Sequence, residues 1–217
     1  MDFSNQGSSH RYSFVSAYEK FMPFVERAGL SQKRRQLLGQ ASGKVLEIGA
    51  GTGLNLPHYK QDVELVAVEP DAEMAVLLKS RCAGRMVEII QCPLSEILSS
   101  GVEPHSFDYV VASLVLCSVP DVDEALDTIS QLLRPGGKFL FIEHVVTPGI
   151  YEILQKLATP LWKRAAGGCH LDRDLLGALD HSEMVVTDLI RFNFPLGRPL
   201  LPHGIMGTAR LKSDFFG

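Results

Sequence analysis

The feature that most constrains this chain is a glycine-rich turn between two short apolar runs. Residues 45–53 read VLEIGAGTG, so a β-branched run enters a turn with glycines at 49, 51 and 53. A second run, residues 64–68, ends directly before Glu69. Glycine permits a tight turn and close backbone approach to a ligand, and an acid at the tip of a second strand can accept hydrogen bonds from a ribose diol. The pattern predicts a nucleoside-binding unit in a parallel sheet.

The glycine spacing indicates which nucleoside is bound. Dinucleotide-binding proteins use G-x-G-x-x-G before a helix that holds a pyrophosphate, whereas this chain has G-x-G-x-G preceded by Glu47. No lysine follows the glycines, which excludes a P-loop. An acid before the glycines disfavours phosphate and suits a cation, so a ribose-bearing sulfonium, S-adenosylmethionine, is indicated. The alternative is a tight turn that binds no ligand.

Strands and helices alternate after residue 43, which predicts a parallel sheet with helices on both faces. The predicted strands are 44–48, 64–68, about 86–91, 109–114 and 138–143, and the predicted intervening helices are 72–83 and 122–133. Near the C-terminus, helices are predicted at 150–166 and 172–181, and segments 184–194 and 204–211 are predicted to form an antiparallel hairpin, joined by a long proline-containing loop. The fold class is therefore α/β, with a Rossmann-like, doubly wound, mostly parallel sheet.

Length and charge limit the organisation and the function. At 217 residues we expect a single domain, with a helical lid over 1–43, a cofactor-binding core over 44–147, and a substrate-side cap with the hairpin over 148–217. The net charge of -4 gives no reason to expect nucleic-acid binding. No stretch approaches the roughly 20 apolar residues of a membrane span, and the first ten residues are polar. We expect a cytoplasmic protein without an integral membrane segment.

The cysteines give no sign of a metal centre. Cys82, Cys92, Cys117 and Cys169 form no C-x-x-C pair, so no metal site is predicted. Cys117 lies in an apolar run and is expected to be buried, whereas Cys169 follows two glycines and is expected to face a cavity.

Several segments together resemble the S-adenosylmethionine-dependent class I methyltransferases. They are EIGAGTG at 47–53, EP at 69–70, FDYVV at 107–111 and LRPGG at 133–137. Further segments are similar to the animal methyltransferase-like proteins that methylate alkyl thiols, namely LVLCSV at 114–119, EHV at 143–145, PLW at 160–162, GCHLDR at 168–173 and PH at 202–203. Those relatives carry an N-terminal membrane anchor, and we expect this chain to be a soluble relative without it.

The resemblance implies a cofactor site for S-adenosylmethionine, which leaves as S-adenosylhomocysteine. Glu69 is expected to bind the ribose diol, Pro93 and Leu94 to lie near the adenine, and Ser113 and Leu114 to lie beside the methionine amino group or the methyl. The predicted cofactor contacts are Glu47, Gly49, Ala50, Gly51, Gly53, Asn55, Glu69, Pro70, Met74, Pro93, Leu94, Ser113 and Leu114.

On the acceptor side, His144 is the candidate catalytic base. It follows the fifth predicted strand at the edge of the sheet that carries the glycine turn, and an imidazole titrates near neutrality. The alternative is a histidine that fixes a loop. His170 and His203 are weaker candidates, and Glu143 is expected to orient His144 or to cap a loop. The predicted substrate-pocket residues are Tyr18, Phe21, Cys117, Trp162 and Cys169.

The sequence thus predicts an S-adenosylmethionine-dependent methyltransferase for a small molecule, with an apolar thiol or dithiol as the leading acceptor. Methylation at carbon, oxygen or nitrogen, for instance of a quinone, a natural product or a phospholipid, is the alternative among enzymes. A non-catalytic cofactor-binding module is the alternative outside that class.

Overall fold

Alternating strands and helices build a seven-stranded sheet in the computed structural model, which describes residues 6–82, 84–194 and 203–216. The strands are β1 (Lys44–Ile48), β2 (Glu64–Val68), β3 (Val87–Ile90), β4 (Phe107–Ser113), β5 (Leu133–His144), β6 (Met184–Asn193) and β7 (His203–Leu211). The helices are α1 (Gln6–Val25), α2 (Ser31–Leu38), α3 (Ala72–Arg81), α4 (Val122–Leu132), α5 (Ile150–Ala165), α6 (Leu175–His181) and α7 (Ser213–Phe216).

The strand order is β3-β2-β1-β4-β5-β7-β6, and β1 to β5 run parallel. β7 pairs antiparallel with β5 and with β6, which confirms the predicted doubly wound sheet with a C-terminal hairpin. The chain reverses its direction of travel across the sheet between β1 and β4. Ligands of such sheets bind outside the carboxyl ends of the strands at this switch point.

The largest boundary differences from the sequence prediction are at the starts of β5 and α6. β5 begins at Leu133 rather than at 138, because the segment after α4 pairs with Phe107 before a register shift. α6 begins at Leu175 rather than at 172, because the Asp174 side chain accepts a hydrogen bond from the Gly177 N–H and caps the helix there. The predicted proline-containing loop, 195–202, lies outside the described residues.

Both faces of the sheet are buried. One apolar cluster contains Leu46 and the inward side of α4, and another contains Val45 and the inward side of α2. Val45 and Leu46 are adjacent and both fully buried, as expected for a central parallel strand covered by helices on both sides. Because helices cover both faces, the carboxyl edge of the strands is the part of the sheet where a ligand can bind.

The N-terminal segment packs on the sheet through one face of α1. Val15, Met22 and Val25 are buried at helical spacing, and Tyr18 lies on the same face. Phe21 lies on the other face and is 55% exposed, and its place in the substrate pocket stays a prediction. A π-helical turn (Glu26–Leu30), with Gly29 at φ 123°, joins α1 to α2. Within the described residues, no helix combines the length and the apolar character needed to cross a bilayer.

Candidate active site

The glycine turn after β1 is compact and leaves its backbone uncovered by side chains. Gly49 has φ 58°, and a Cβ there would lie 2.2 Å from Cγ2 of Val115. Gly51 has φ 57° but would meet nothing closer than the Tyr18 hydroxyl, at 3.8 Å. Glycine at 49 thus permits contact with the loop after β4, and glycine at 51 keeps the backbone accessible.

The chain between β1 and β2 contains no α-helix; in residues 49–63, all described, the helical segment is a 3-10 turn, Leu56–His58. The glycine turn therefore does not present a long helix N-terminus, which is the feature that holds pyrophosphate in dinucleotide-binding proteins. This geometry agrees with a ligand that lacks phosphate.

Glu69 is fixed at the tip of β2 with its carboxylate facing the turn. Oε2 accepts the Gly51 N–H at 2.7 Å, and Oε1 accepts the Asp71 N–H at 2.9 Å. Burial raises the pKa of Glu69, while these two backbone hydrogen bonds act to lower it. Each carboxylate oxygen keeps acceptor capacity, so the group can take two ribose hydroxyls.

A buried polar network lies beneath the turn. Arg34 Nη1 donates to Asn55 Oδ1 at 2.6 Å and to Ser113 Oγ at 2.7 Å, and Asn55 Nδ2 donates to Glu47 Oε1 at 2.9 Å. Burial raises the pKa of Glu47 to about 7, against the Asn55 hydrogen bond and the Arg34 charge. The network gives Glu47 and Asn55 an internal role, and their direct contact with a cofactor stays a prediction.

Arg34 is the functional residue that sequence reasoning missed. It stands in a basic run, residues 33–35, which reads as a solvated helix face. A signal was present, since Leu30, Arg34 and Leu37 share one helical face and the two leucines are buried. Arg34 is 2% exposed, and its Nε donates to Glu26 at 2.9 Å.

Helix α1 covers the turn. The Tyr18 hydroxyl lies above Gly51, and burial raises the pKa of Tyr18 to about 12. Arg81 of α3 ties the layers together, since it pairs with Glu19 of α1 and donates to the Thr52 carbonyl at 2.8 Å. Helix α1 is therefore attached to the glycine turn itself.

The remaining predicted cofactor residues lie at the carboxyl ends of β1, β2 and β3. Ala50 is buried and donates its N–H to Val68, and Met74 Sδ would lie 4.0 Å from a Cβ at Gly51. Pro70 and Pro93 are exposed, and Leu94 is half-buried. Direct contacts of these residues and of Gly53 with a cofactor stay predictions.

The loop after β4 is held in an uncommon conformation. Leu114 has φ 57°, which is rare for a residue other than glycine and typical of functional loops. Glu143 Oε1 accepts the N–H groups of Val115 and Leu116, both at 2.8 Å. Glu143 therefore caps this loop, and burial raises its pKa to about 7, against the His144 charge. The capped loop delivers Cys117 to the sheet edge.

Three side chains from distant segments meet beside this loop, and we call them the Cys–His cluster: Cys117, His144 and Cys169. Their ligand atoms all lie within 4.8 Å of one another, and His144 Nε2 is 3.1 Å from Cys169 Sγ. Cys117 and His144 are buried, at 3% and 4% exposed, and Cys169 is half-buried. The structure thus brings together three of the predicted acceptor-side residues.

Hydrogen bonds within the Cys–His cluster separate the thiol pKa values. The Cys117 thiol, assisted by His144 and Trp162, lowers the pKa of Cys169 even though burial opposes the shift. The same hydrogen bond and burial raise the pKa of Cys117. Burial acts to lower the pKa of His144, but Cys169 raises it. The arrangement favours a Cys169 thiolate that accepts a hydrogen bond from the Nε2–H of His144.

Glycines and aromatic rings position Cys169. A Cβ at Gly167, where φ is 59°, would lie 2.8 Å from Cζ of Phe14, so α1 packs directly on the loop that carries Cys169. The His170 N–H donates to the Cys117 carbonyl at 2.8 Å, which joins this loop to the one after β4. Phe14 and Tyr18 have ring centroids 6.0 Å apart. One helix therefore spans the glycine turn and the Cys–His cluster.

The two weaker histidine candidates, His170 and His203, have different surroundings. His170 Nδ1 is 3.1 Å from the Cys117 carbonyl oxygen, which gives this histidine a loop-fixing function. His203, at the start of β7, lines a cavity of about 430 Å³. The cavity is also bounded by Val145, Val146, Thr147, Pro148, Arg191, Phe192, Asn193, Gly204 and Ile205. None of the five predicted substrate-pocket residues lines this cavity.

Comparison with known proteins agrees with this geometry. Residues 46–141 match the protein family described as a methyltransferase domain. The chain is 34% identical to human thiol S-methyltransferase TMT1B over 83% of this chain and 79% of that protein, and 30% identical to human TMT1A over the same shares.

Solved structures share the fold at low identity. The YcgJ protein of Bacillus subtilis superposes with a TM-score of 0.67 at 16% identity, covering 84% of this chain and 97% of that one. An S-adenosylmethionine-dependent methyltransferase from Mesorhizobium loti gives a TM-score of 0.63 at 20% identity, with the same coverage. These solved structures therefore have the same fold as this chain.

Proposed function

Because this chain belongs to the methyltransferase family that includes TMT1A and TMT1B, we propose that it methylates the sulfur of an apolar small-molecule thiol, with S-adenosylmethionine as methyl donor. The observation that carries the acceptor assignment is the 34% identity over most of the chain to a thiol S-methyltransferase. The Cys–His cluster, which lies next to the glycine turn, also supports this acceptor assignment.

The residues of the turn fit the cofactor. Glu69 offers acceptors for a ribose diol, the backbone at Gly51 is open, and the turn lacks a long helix N-terminus for phosphate. The cofactor supplies a methyl group on a positively charged sulfur. The hydrogen bonds described for Arg34 use Nε and Nη1, so we assign its Nη2 to the cofactor carboxylate.

The acceptor is proposed to lie against the Cys–His cluster under α1. Phe14, Tyr18 and Trp162 supply an apolar wall, which excludes water and strengthens the attraction between a thiolate and a sulfonium. Alignment of the two reacting groups contributes much of the rate, since positioning alone can lower a barrier by about 7–11 kcal/mol. His144 is the proposed proton acceptor in a metal-free site, through Nδ1, which is buried and has no hydrogen-bond partner.

We further propose that the acceptor is a small molecule rather than a nucleic acid, in keeping with the net charge of -4. The reaction needs a reduced acceptor thiol and free cysteines at the site. These conditions fit a reducing compartment, and we propose the cytoplasm.

The test is turnover of acceptors that share one apolar body. Benzyl mercaptan, benzyl alcohol, a cresol and benzylamine are each incubated with the protein and S-adenosylmethionine, and products that gain one CH2 are detected by mass spectrometry. We expect turnover of the thiol. Turnover of the alcohol, the phenol or the amine without the thiol would overturn the acceptor assignment, and no turnover despite cofactor binding would favour a non-catalytic module.

The His144→Ala variant tests the acceptor side of the site. We expect its rate at pH 7 to fall by roughly 10²-fold, and the loss to shrink as pH rises past the free thiol pKa, near 8.5. His181→Ala is the matched control, because His181 is exposed on α6. Full activity of His144→Ala at pH 7 would give His144 a structural role.

A further inference from the structure

The Cys–His cluster has the composition of a zinc site. It contains two thiols and an imidazole, which are the ligand types that Zn²⁺ binds most often. The ligands come from the loop after β4, the end of β5 and the loop after α5, so the fold and not a sequence motif assembles them. This juxtaposition is a reason to consider a metal site although the sequence has no C-x-x-C pair.

The distances suit a tetrahedral ion. Zn–S bonds near 2.3 Å and Zn–N bonds near 2.0–2.1 Å place neighbouring ligand atoms about 3.5–3.8 Å apart. The three ligand atoms here already lie within 4.8 Å of one another, and His144 Nε2 and Cys169 Sγ are 3.1 Å apart. Side-chain rotations that move the ligand atoms by about one ångström or less are enough for them to surround the ion.

The cluster also has the pattern of a catalytic rather than a structural zinc site. Structural sites close the ion with four protein ligands, whereas catalytic sites use three and leave one position for water or substrate. In the described part of the chain the cluster contains three ligands, of which Cys169 is the least buried.

Two elements link the cluster to the cofactor turn. Val115, two residues before Cys117, is the side chain that a Cβ at Gly49 would strike. Helix α1 contacts both places, with Tyr18 above Gly51 and Phe14 against Gly167. An acceptor on the cluster would therefore share one covered space with the methyl donor.

We propose that Cys117, His144 and Cys169 bind Zn²⁺ and that the free fourth position takes the sulfur of the acceptor thiol. The inference rests on the proposed function and states how the acceptor is recognised. It gives His144 the role of a metal ligand when the ion is bound, with Glu143 as the positioning residue that holds the loop carrying Cys117.

The chemistry balances without an oxidant or a further co-reactant. Binding of the ion displaces the thiol proton of Cys117 to solvent and the Nε2 proton of His144 to Nδ1, and binding of the acceptor releases its own S–H proton. The acceptor sulfur then donates a lone pair to the methyl carbon, a new C–S bond forms, and the bond between carbon and the donor sulfur breaks with its electron pair kept by that sulfur. The neutral thioether is a weaker ligand than a thiolate, so the product leaves.

Cobalt substitution provides a readout that does not depend on activity. The full chain, stripped of metal with a chelator and kept reduced with a phosphine, is titrated with Co²⁺ and then with Zn²⁺. We expect one Co²⁺ per chain with a near-ultraviolet thiolate-to-cobalt band, lost on addition of Zn²⁺. Benzyl mercaptan should intensify this band as a third thiolate joins the ion, whereas benzyl alcohol should leave it unchanged.

Matched cysteine variants locate the site. Cys117→Ser and Cys169→Ser should lose the cobalt band, while Cys82→Ser, which alters a free cysteine outside the cluster, should keep it. Since Cys117 is buried and its variant can lose stability, S-adenosylhomocysteine binding is measured on each protein as a check of folding. A folded Cys169→Ser variant with an undiminished band would overturn the assignment.

The outcomes separate this inference from the proposed function. A chain that binds S-adenosylhomocysteine and methylates thiols at full rate after chelation, without a cobalt band, overturns the zinc site and leaves the function intact. One tightly bound Zn²⁺ without thiol turnover overturns the function and the acceptor role together. A cobalt spectrum that benzyl mercaptan does not change overturns acceptor binding at the fourth position.

Discussion

Glu69 joins the strand, the turn and the expected ligand in one side chain. Its two oxygens each accept a backbone N–H, so the carboxylate has a fixed direction before any ligand arrives. A fixed acceptor loses little entropy when it binds a hydroxyl, which makes its hydrogen bonds more effective.

Removal of this carboxylate should weaken cofactor binding. We expect Glu69→Ala to reduce affinity for S-adenosylhomocysteine by about 1–3 kcal/mol, or roughly 5- to 150-fold, because two ribose hydroxyls lose their acceptors. Isothermal titration measures the change, and Glu73→Ala, in the first turn of α3, is the control. An unchanged dissociation constant for Glu69→Ala would remove the residue from the binding site.

Arg34 is a second residue expected to act on the cofactor site, and it connects the N-terminal segment to β4 through Ser113. We expect Arg34→Lys to bind S-adenosylhomocysteine at least tenfold more weakly, because a lysine cannot reproduce the branched set of donors. The neighbouring Arg35 is exposed, so Arg35→Lys is the control for a change of charge type. Equal affinities in the two variants would show that Arg34 serves the fold and not the ligand.

At the scale of elements, α1 connects the two halves of the site. It contacts the glycine turn through Tyr18 and the loop of Cys169 through Phe14, and the Glu19–Arg81 pair attaches it to α3. The pair is partly exposed, so its contribution to stability is modest. Such a helix can open for the ligands and close once they are bound.

Hydrogen exchange tests this closure. S-adenosylhomocysteine should slow amide exchange across residues 14–38, and Glu19→Gln should speed exchange there in the free protein, because one tie to α3 is lost. Lys20→Gln, at an exposed position of the same helix, is the control. Exchange rates that the cofactor leaves unchanged would exclude a closing lid.

The elements differ in how well the sequence predicts the site residues on them. The glycine turn and Glu69 could be predicted because their chemistry depends on neighbours along a short segment: strand, turn, strand. The Cys–His cluster could not, because its members come from three segments separated by more than 20 residues, and their meeting depends on tertiary packing. The helical spacing of residues 12–25 does not say which face of α1 turns inward, and the structure leaves Phe21 55% exposed.

At the scale of the whole molecule, the sheet was predictable because alternating apolar runs and helices admit few arrangements. The bulged start of β5 was not predictable, since the glycines after α4 look the same in a loop and in an irregular strand.

Two buried acids, Glu47 and Glu143, lie under the carboxyl edge of the sheet, and the pKa of each is raised to about 7. These buried acids make the stability of the folded protein depend on pH.

Glu47 is expected to lower stability above neutral pH. Burial is the main cause that raises its pKa from 4.5 to about 7, so the folded state holds a proton that the unfolded state has already lost. The free energy of unfolding therefore falls as pH rises from about 4.5 to about 7, by up to about 3 kcal/mol from this group. Glu47→Gln removes the titration and keeps an oxygen for the Asn55 amide.

The variant should be more stable than the natural chain at pH 8, and the two should be similar at pH 4.5. Urea unfolding at both pH values measures the difference. Glu143 titrates in both proteins, so its contribution cancels in the comparison, and Glu64→Gln at an exposed strand end is the control. Arg34 and Glu69 are the other charges that act on Glu47, and both remain in the variant. A stability difference that is the same at pH 4.5 and pH 8 would mean that Glu47 is already ionised beneath the turn, held by Arg34.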